Sequence, residues 1–183
     1  MSIAENIARI RAEIDAAARE AGRDPKEITL VGASKMNDAQ ACKDAIAAGI
    51  DALGENRVQE MTQKLSENAY EGAPLHFIGH LQRNKVRQVV GKAALIQSVG
   101  SEALLLEIEK EAAKQDLVQD ILLEVNIGGE EAKSGFSPEE LPAAAETRSV
   151  LDVSSTARCC AGVSLAIFLV SFRFFFAADM QVR

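Results

Sequence analysis

Lys35 stands directly after an apolar run, Ile28 to Ser34, that is typical of a buried strand. In an α/β barrel, ligands bind beyond the carboxyl ends of the strands, so a lysine at this point faces a site. A partly desolvated amine there becomes a nucleophile toward aldehydes. The alternative is a lysine that ends a strand and extends its ammonium group into solvent. The pattern therefore indicates either a covalent amine site at Lys35 or a plain strand end.

Three further polar segments follow predicted strands: Gly54 to Asn56, His76 to Gln82 and Asn126 to Gly129. A barrel gathers such segments at one mouth, and their convergence favours a binding site. Each also has an ordinary structural explanation, because Asn56 could cap a helix, Asn126 could form a turn and His76 could be a core histidine. His80 lies past the strand end, where an imidazole that titrates near neutrality suits a ligand site.

Other polar residues give weaker indications. Lys133 belongs to a polar turn ahead of Pro138 that either reaches over the mouth or is an exposed connection. Lys85 and Arg87 fit a solvated helix face better than a set of phosphate ligands. The sequence has no Walker A loop, no Gly-x-Gly-x-x-Gly after a strand and no paired-histidine metal spacing. Nucleotide and metal sites are therefore disfavoured.

The composition excludes several classes of partner. A net charge of -7 and a pI near 5.0 argue against nucleic acid, which requires a basic face. The three cysteines, Cys42 and the adjacent pair Cys159 and Cys160, fit neither a disulfide framework nor a metal site, which favours a reducing compartment. The N-terminus lacks the apolar stretch of a secretory signal. We expect a cytoplasmic chain of ordinary domain size.

After an amphipathic opening helix over residues 2–21, the chain alternates predicted strands and helices. The strands are predicted at 28–34, 51–54, 75–78, 94–98 and 120–127, and the helices at 38–48, 57–68, 84–90, 102–115 and 139–148. Strands separated by helices of this length pair in parallel. The prediction is an α/β fold, either an open doubly wound sheet or a TIM-type barrel. A full barrel needs about 250 residues, so residues 1–150 would form a partial barrel of five β/α units.

The composition changes at about Leu151, and residues 151–183 read as an atypical apolar tail. Five of the seven phenylalanines fall between residues 168 and 176. A membrane anchor over 161–177 is at the short limit of the roughly 17–25 residues that span a bilayer, and it would contain Arg173. A sixth strand and helix is a second interpretation. The hypothesis that we favour is a tail from a shifted reading frame or altered splicing, which the alternative frames of the genomic DNA past codon 150 would test.

Four ordered motifs in residues 1–150 resemble the pyridoxal-phosphate homeostasis protein family: Val31-Gly-Ala-Ser-Lys35, Ala52-Leu-Gly-Glu-Asn-Arg-Val-Gln-Glu60, His76-Phe-Ile-Gly-His-Leu-Gln-Arg-Asn-Lys85 and Leu123 to Phe136. The resemblance implies a single-domain barrel similar to that of alanine racemase. It implies that pyridoxal 5′-phosphate is held as a Schiff base on Lys35, with Asn56, His80 and Asn126 around the pyridine ring. None of these residues is assigned a catalytic role.

The function that this resemblance implies is cofactor carriage, in which pyridoxal 5′-phosphate is held and delivered to client apoenzymes without turnover. A reversible link to lysine suits such a carrier. Two alternatives stay open: a pyridoxal-phosphate-dependent enzyme of the amino-acid racemase type, and a truncated isoform that binds no ligand. The sequence lacks the family's sixth to eighth units with their phosphate turn. We therefore expect weak phosphate anchoring, exposed strand edges and low stability.

Overall fold

The structure, a computed structural model, describes residues 2–129, 134–150 and 165–167, with side chains described for 2–129 and 134–145. These residues belong to two compact units, one ending at His76 and the other beginning at Phe77. Both units alternate strands with helices, as the sequence predicts. Within each unit the paired strands run parallel and follow one another in the chain.

The first unit begins with helix α1 (Ile3–Glu20), which is capped by Ser2. The Glu5 N–H donates to the Ser2 hydroxyl at 3.2 Å, and the Ser2 N–H donates to the Glu5 carboxylate at 2.7 Å. This reciprocal pair is a capping box, which fixes where the helix starts. The helix packs against α2 (Ala39–Ala47) and buries one face, made of Ile7, Ile10 and Ala18.

Parallel strands form the centre of the first unit. Strand β1 (Val31–Ala33) pairs with β2 (Ala52–Glu55), and Ala33 lies opposite Gly54. Helix α2 connects these strands, and helix α3 (Val58–Ser66) follows β2. Every residue of β2 is buried. The segments that follow β1 and β2 therefore leave the sheet side by side.

Strand β3 (Leu75–Phe77) stands at the boundary of the two units in the sequence. The second unit continues with strand β4 (Leu95–Val99), which pairs with β5 (Asp120–Leu123). Helix α4 (Glu102–Lys114) joins these two strands, and the side chain of Ser101 caps it. Helix α5 (Leu141–Val150) comes next, and the last described strand is β6 (Leu165–Ile167), which pairs with β5.

A register shift marks the pairing of β4 with β5. Ile96 lies opposite Ile121, whereas Val99 lies opposite Leu123, so three steps along β4 match two along β5. Such an extra residue is a β-bulge, a feature that redirects side chains at the end of a strand. The buried apolar residues of the second unit include Val86, Val89, Ile96, Ile108, Ile121 and Leu123.

All five predicted strands are confirmed, but most are shorter than the sequence predicts. Strand β1 starts at Val31 because the Leu30 N–H donates to the Asp51 carboxylate at 2.6 Å instead of to a neighbouring strand. Strand β5 ends at Leu123, and beyond it Val125 pairs with Phe136 in an isolated bridge. At the start of β1 a side chain, and beyond β5 a returning loop, thus take the place of the strand-to-strand hydrogen bonds that the apolar runs predict.

The predicted helix over 84–90 is a 3₁₀ helix, Arg83–Gln88. It begins without a side-chain cap, and its neighbouring turn ends at Gly91, whose φ is +75°. Val86 and Val89 are both buried, and residues three apart share a face in a 3₁₀ helix. The β-branched valines also favour an α-helix less than straight side chains do. Val90 is buried as well, so the buried positions keep a helical spacing, but the regular helix ends at Gln88, ahead of the left-handed Gly91.

Strand β6 lies within residues 151–183, and the rest of that tail is outside the described residues. The alternative of a membrane anchor over 161–177 therefore falls almost entirely outside them. Among the residues that the structure describes, no helix is both long and apolar enough to cross a membrane.

Candidate functional site

Lys35 lies in a tight turn at the end of β1, formed by residues 34–37 and called here the Lys35 turn. The Asn37 N–H donates to the Ser34 carbonyl at 3.1 Å, which closes the turn. Met36 has a φ of +63°, in the left-handed region that only glycine enters freely. Lys35 is exposed, so the expectation of a partly desolvated amine is wrong, and the amine is open to a ligand from solution.

Three hydrogen bonds hold the Lys35 turn in place. The Ser34 N–H donates to the Gly54 carbonyl at 2.9 Å, which continues the β1–β2 pairing by one residue. The Lys64 ammonium group donates to the Ser34 carbonyl at 2.7 Å. The Met36 N–H donates to a Glu60 carboxylate oxygen at 3.0 Å. The residues on both sides of Lys35 are therefore bound to helix α3.

Next to this turn, four side chains are joined through one carboxylate oxygen. They are called here the Glu55 cluster: Ser34, Glu55, Lys64 and Tyr70. Glu55 Oε1 accepts from the Ser34 hydroxyl at 2.7 Å, from the Lys64 ammonium at 2.6 Å and from the Tyr70 hydroxyl at 2.9 Å. Glu55 is fully buried and Lys64 is 6% exposed. A buried carboxylate needs such partners, because desolvation of an unpaired charge is costly.

Two titratable groups at the Glu55 cluster are held in their neutral forms. Burial, and next the negative charge of Glu55, raise the pKa of the Tyr70 hydroxyl. Burial also raises the pKa of the Cys42 thiol. A thiol that is buried and neutral is a poor nucleophile. Lys35 is therefore a better candidate than Cys42 for covalent chemistry in the first unit.

Asn56 follows β2 as Lys35 follows β1, each two residues after the paired residues Gly54 and Ala33. The Asn56 side-chain oxygen is buried and has no hydrogen-bond partner in the described part of the chain. A buried acceptor without a partner is rare in folded proteins and calls for a bound group or water. Asn56 and Lys35 therefore occupy matching positions after two paired strands. The Asn56 side-chain oxygen can accept a hydrogen bond from a bound group.

In the second unit, His80 follows β3 and is exposed. The Ser98 hydroxyl, at the bulge of β4, donates a short hydrogen bond to the carbonyl of Gly79. That bond fixes the backbone just before His80 to the carboxyl end of β4. His76, inside β3, is half-buried, and burial lowers its pKa, which agrees with a core histidine.

Asn126 is held by a returning loop after β5. Its N–H donates to the Phe136 carbonyl at 2.8 Å, and the Phe136 N–H donates to the Glu124 carbonyl at 2.8 Å. The Glu124 N–H donates in turn to the carbonyl of Val99, the last residue of β4. The second unit therefore brings the segments of both His80 and Asn126 to the end of β4. Lys133, predicted in the same loop, lies outside the described residues.

Sequence reasoning missed the residues that support these positions, namely Glu60, Lys64, Tyr70 and Ser98. Lys64 had a recognisable signal, because it lies three residues after the buried Met61 and six after the buried Val58. A lysine on the apolar stripe of a helix requires a buried partner. Among the residues that the structure describes, no group of three or more histidine, cysteine or acidic side chains is arranged to hold a metal ion.

Comparison with known families identifies the family to which this fold belongs. Residues 3–154 match the model of the alanine racemase N-terminal domain. The chain belongs to that family, and its fold is the TIM-barrel-like α/β fold of that domain, as the sequence predicts.

The chain is similar to proteins that are named pyridoxal phosphate homeostasis protein. The chain is 41% identical over 141 residues to the pyridoxal phosphate homeostasis protein of Aquifex aeolicus, covering 77% of this chain and 62% of that one. It is 39% identical over 145 residues to the protein of the same name from Pseudomonas aeruginosa, covering 79% and 63%. The chain thus spans about three fifths of the length of these relatives.

Solved structures of other proteins have a similar fold. PipY of Synechococcus elongatus, solved with PLP bound, has a TM-score of 0.70 and 27% identity, covering 92% of this chain and 71% of that one. An alanine racemase of Clostridium difficile has a TM-score of 0.57 at 14% identity, covering 76% and 35%, which is a likeness of fold alone.

Proposed function

We propose that this chain binds pyridoxal 5′-phosphate through Lys35 and acts as a carrier of that cofactor. The observation that carries the proposal is the exposed Lys35 amine in a strained turn, with the unpartnered Asn56 oxygen at the end of the adjacent strand. The names of the relatives and the PLP-bound PipY structure support the same ligand.

When bound, pyridoxal 5′-phosphate would supply an aldehyde with which a neutral lysine amine can form a C=N bond, the carbonyl oxygen leaving as water. Lys35 supplies the amine. Asn56, at the end of the paired strand, supplies a hydrogen-bond acceptor. His80 and Asn126, held by the second unit, are proposed as further contacts to the ring.

We assign no turnover to the chain, and cytoplasmic delivery to client apoenzymes is part of the proposal. The relatives are named for homeostasis, not for a reaction. A reversible link to lysine is enough for storage and delivery, because water or a second amine releases the cofactor. A racemase would also need groups that remove and return the α-proton of a substrate.

The test is trapping with borohydride. The full chain is mixed with pyridoxal 5′-phosphate, its visible absorbance is recorded, and borohydride reduces the C=N bond to a stable amine that mass spectrometry locates. We expect the added mass on Lys35, its loss in Lys35→Ala, and no change in Lys43→Ala, which removes another exposed lysine of the first unit. Equal labelling of Lys35→Ala and the parent protein would refute the proposal.

A second arm separates carrier from enzyme. Amino acids are added to the loaded protein in D₂O, and their α-hydrogen is followed by NMR. A carrier releases cofactor without catalytic deuterium incorporation, whereas multiple turnovers of deuterium incorporation would support the racemase-type alternative.

A further inference from the structure

We infer that Glu60 is a positioning residue for Lys35, holding the amine in place through the Met36 amide. The inference rests on the proposed function of Lys35. Glu60 Oε2 accepts from the Met36 N–H at 3.0 Å, directly after the lysine. Glu60 itself has no part in the covalent step.

The Lys35 turn needs such support because its backbone is strained. Met36 adopts a φ of +63° although the residue is 82% exposed, so packing of its side chain does not hold the conformation. A non-glycine residue in this region carries an energetic cost, because its Cβ comes close to the following carbonyl oxygen. Contacts to the backbone must offset that cost.

Helix α3 supplies those contacts on both sides of Lys35. Lys64 binds the Ser34 carbonyl before it, and Glu60 binds the Met36 amide after it. Glu60 and Lys64 are four residues apart, so both lie on one face of α3. The lysine backbone is thereby fixed to a rigid helix at two points, which is the arrangement that pre-organises a reactive side chain.

Of the two residues of α3 that bind the Lys35 turn, Glu60 is the one that can be replaced without disturbing a buried ion pair. Its side chain is 25% exposed, and its second oxygen lies 3.3 Å from the exposed Arg57 guanidinium. Removing it leaves no deeply buried charge, in contrast to Lys64. The Glu60→Ala protein should therefore fold with the Glu55 cluster intact.

The experiment compares Glu60→Ala, Glu60→Gln and a matched control, Glu67→Ala, which removes an exposed carboxylate at the end of the same helix. The first readout is amide hydrogen exchange of residues 34–37 in protein without added cofactor. The second is the rate of borohydride-trapped labelling of Lys35 at a fixed concentration of pyridoxal 5′-phosphate.

In Glu60→Ala, we expect exchange of the Met36 amide to rise and labelling of Lys35 to slow, each by about tenfold. Glu60→Gln keeps an acceptor oxygen, so both rates should return to within about twofold of the parent values. Glu67→Ala should match the parent protein. A role in general stability alone would change urea unfolding without this pattern of loss and rescue.

The inference is overturned if Glu60→Ala and Glu67→Ala give the same exchange and labelling, or if Glu60→Gln behaves as Glu60→Ala. Failure of the proposed function looks different. In that case the parent protein gives no label on Lys35, while exchange at Met36 still reports whether Glu60 holds the turn.

Discussion

Replacing Lys64 with methionine should destabilise the first unit severely. Lys64 is 6% exposed and its ammonium group donates both to the Ser34 carbonyl and to the fully buried Glu55 carboxylate. Lys64→Met removes both bonds and leaves the Glu55 charge without its counter-ion. Removing one partner of a buried ion pair costs about 3–5 kcal/mol. Two hydrogen bonds to charged groups, at about 1.5–3 kcal/mol each, give a similar loss.

The assay is urea unfolding at neutral pH, followed by far-UV circular dichroism and tyrosine fluorescence. The chain has no tryptophan and one tyrosine, Tyr70, which belongs to the Glu55 cluster. Its fluorescence therefore reports on the first unit. We expect the free energy of unfolding of Lys64→Met to fall by about 3–5 kcal/mol, a large part of the stability of a typical domain.

Two controls show whether the buried charge is the cause. The double variant Glu55→Gln with Lys64→Met no longer buries a lone carboxylate, and it should regain at least about 2 kcal/mol. Lys110→Met breaks the pair with Glu107, in which the lysine side chain is 61% exposed and the glutamate side chain 35%, and it should cost less than about 1 kcal/mol. A loss below about 1 kcal/mol for Lys64→Met, or no recovery in the double variant, would refute the reasoning.

Three more predictions concern single positions. Met36→Gly should stay within about 1 kcal/mol of the parent in urea unfolding, whereas Met36→Val should lose about 1–2 kcal/mol, because β-branching opposes a φ of +63° at this exposed site; equal stability of the two would contradict this. The raised pKa of Tyr70 means that its neutral form stabilises the fold below about pH 10 and that this stabilisation is lost above it, by about 1.4 kcal/mol per pH unit. Unfolding of Tyr70→Phe at pH 9 to 11 should therefore show a shallower decline than the parent, and parallel curves would count against the assignment. Gly135→Ala should cost about 2 kcal/mol more than Gly129→Ala in the same assay, because a Cβ at Gly135 meets the Asn126 nitrogen at 2.8 Å, whereas Gly129 has nothing within 4 Å; equal costs would show that the loop after β5 can move aside.

The sequence was sufficient for the fold class and for the position of Lys35. Apolar runs separated by amphipathic segments predict parallel strands, and Lys35 ends the first run, where the structure places it after β1. The first residue of that strand was not predictable, because the Leu30 N–H donates to the side chain of Asp51, which lies outside the apolar run. Strand bounds depend on such distant partners.

The residues that hold the candidate site in place were harder to predict from the sequence. The apolar stripe of α3 signals that Lys64 is buried, but it does not identify Glu55, 2.6 Å away, as its partner. The left-handed turn at Met36 has no signal in the residue type, since glycine or asparagine would be expected at that φ. Both features arise from contacts between β1, β2 and α3 that a local pattern does not encode.

The Glu55 cluster has a consequence for how the first unit assembles. Its side chains come from the end of β1, the end of β2, helix α3 and the turn that follows α3. An intermediate that buried Glu55 before Lys64 and Tyr70 arrived would hold a carboxylate without partners in apolar surroundings. Such partly built states are penalised, so these four pieces should become ordered together in one cooperative step.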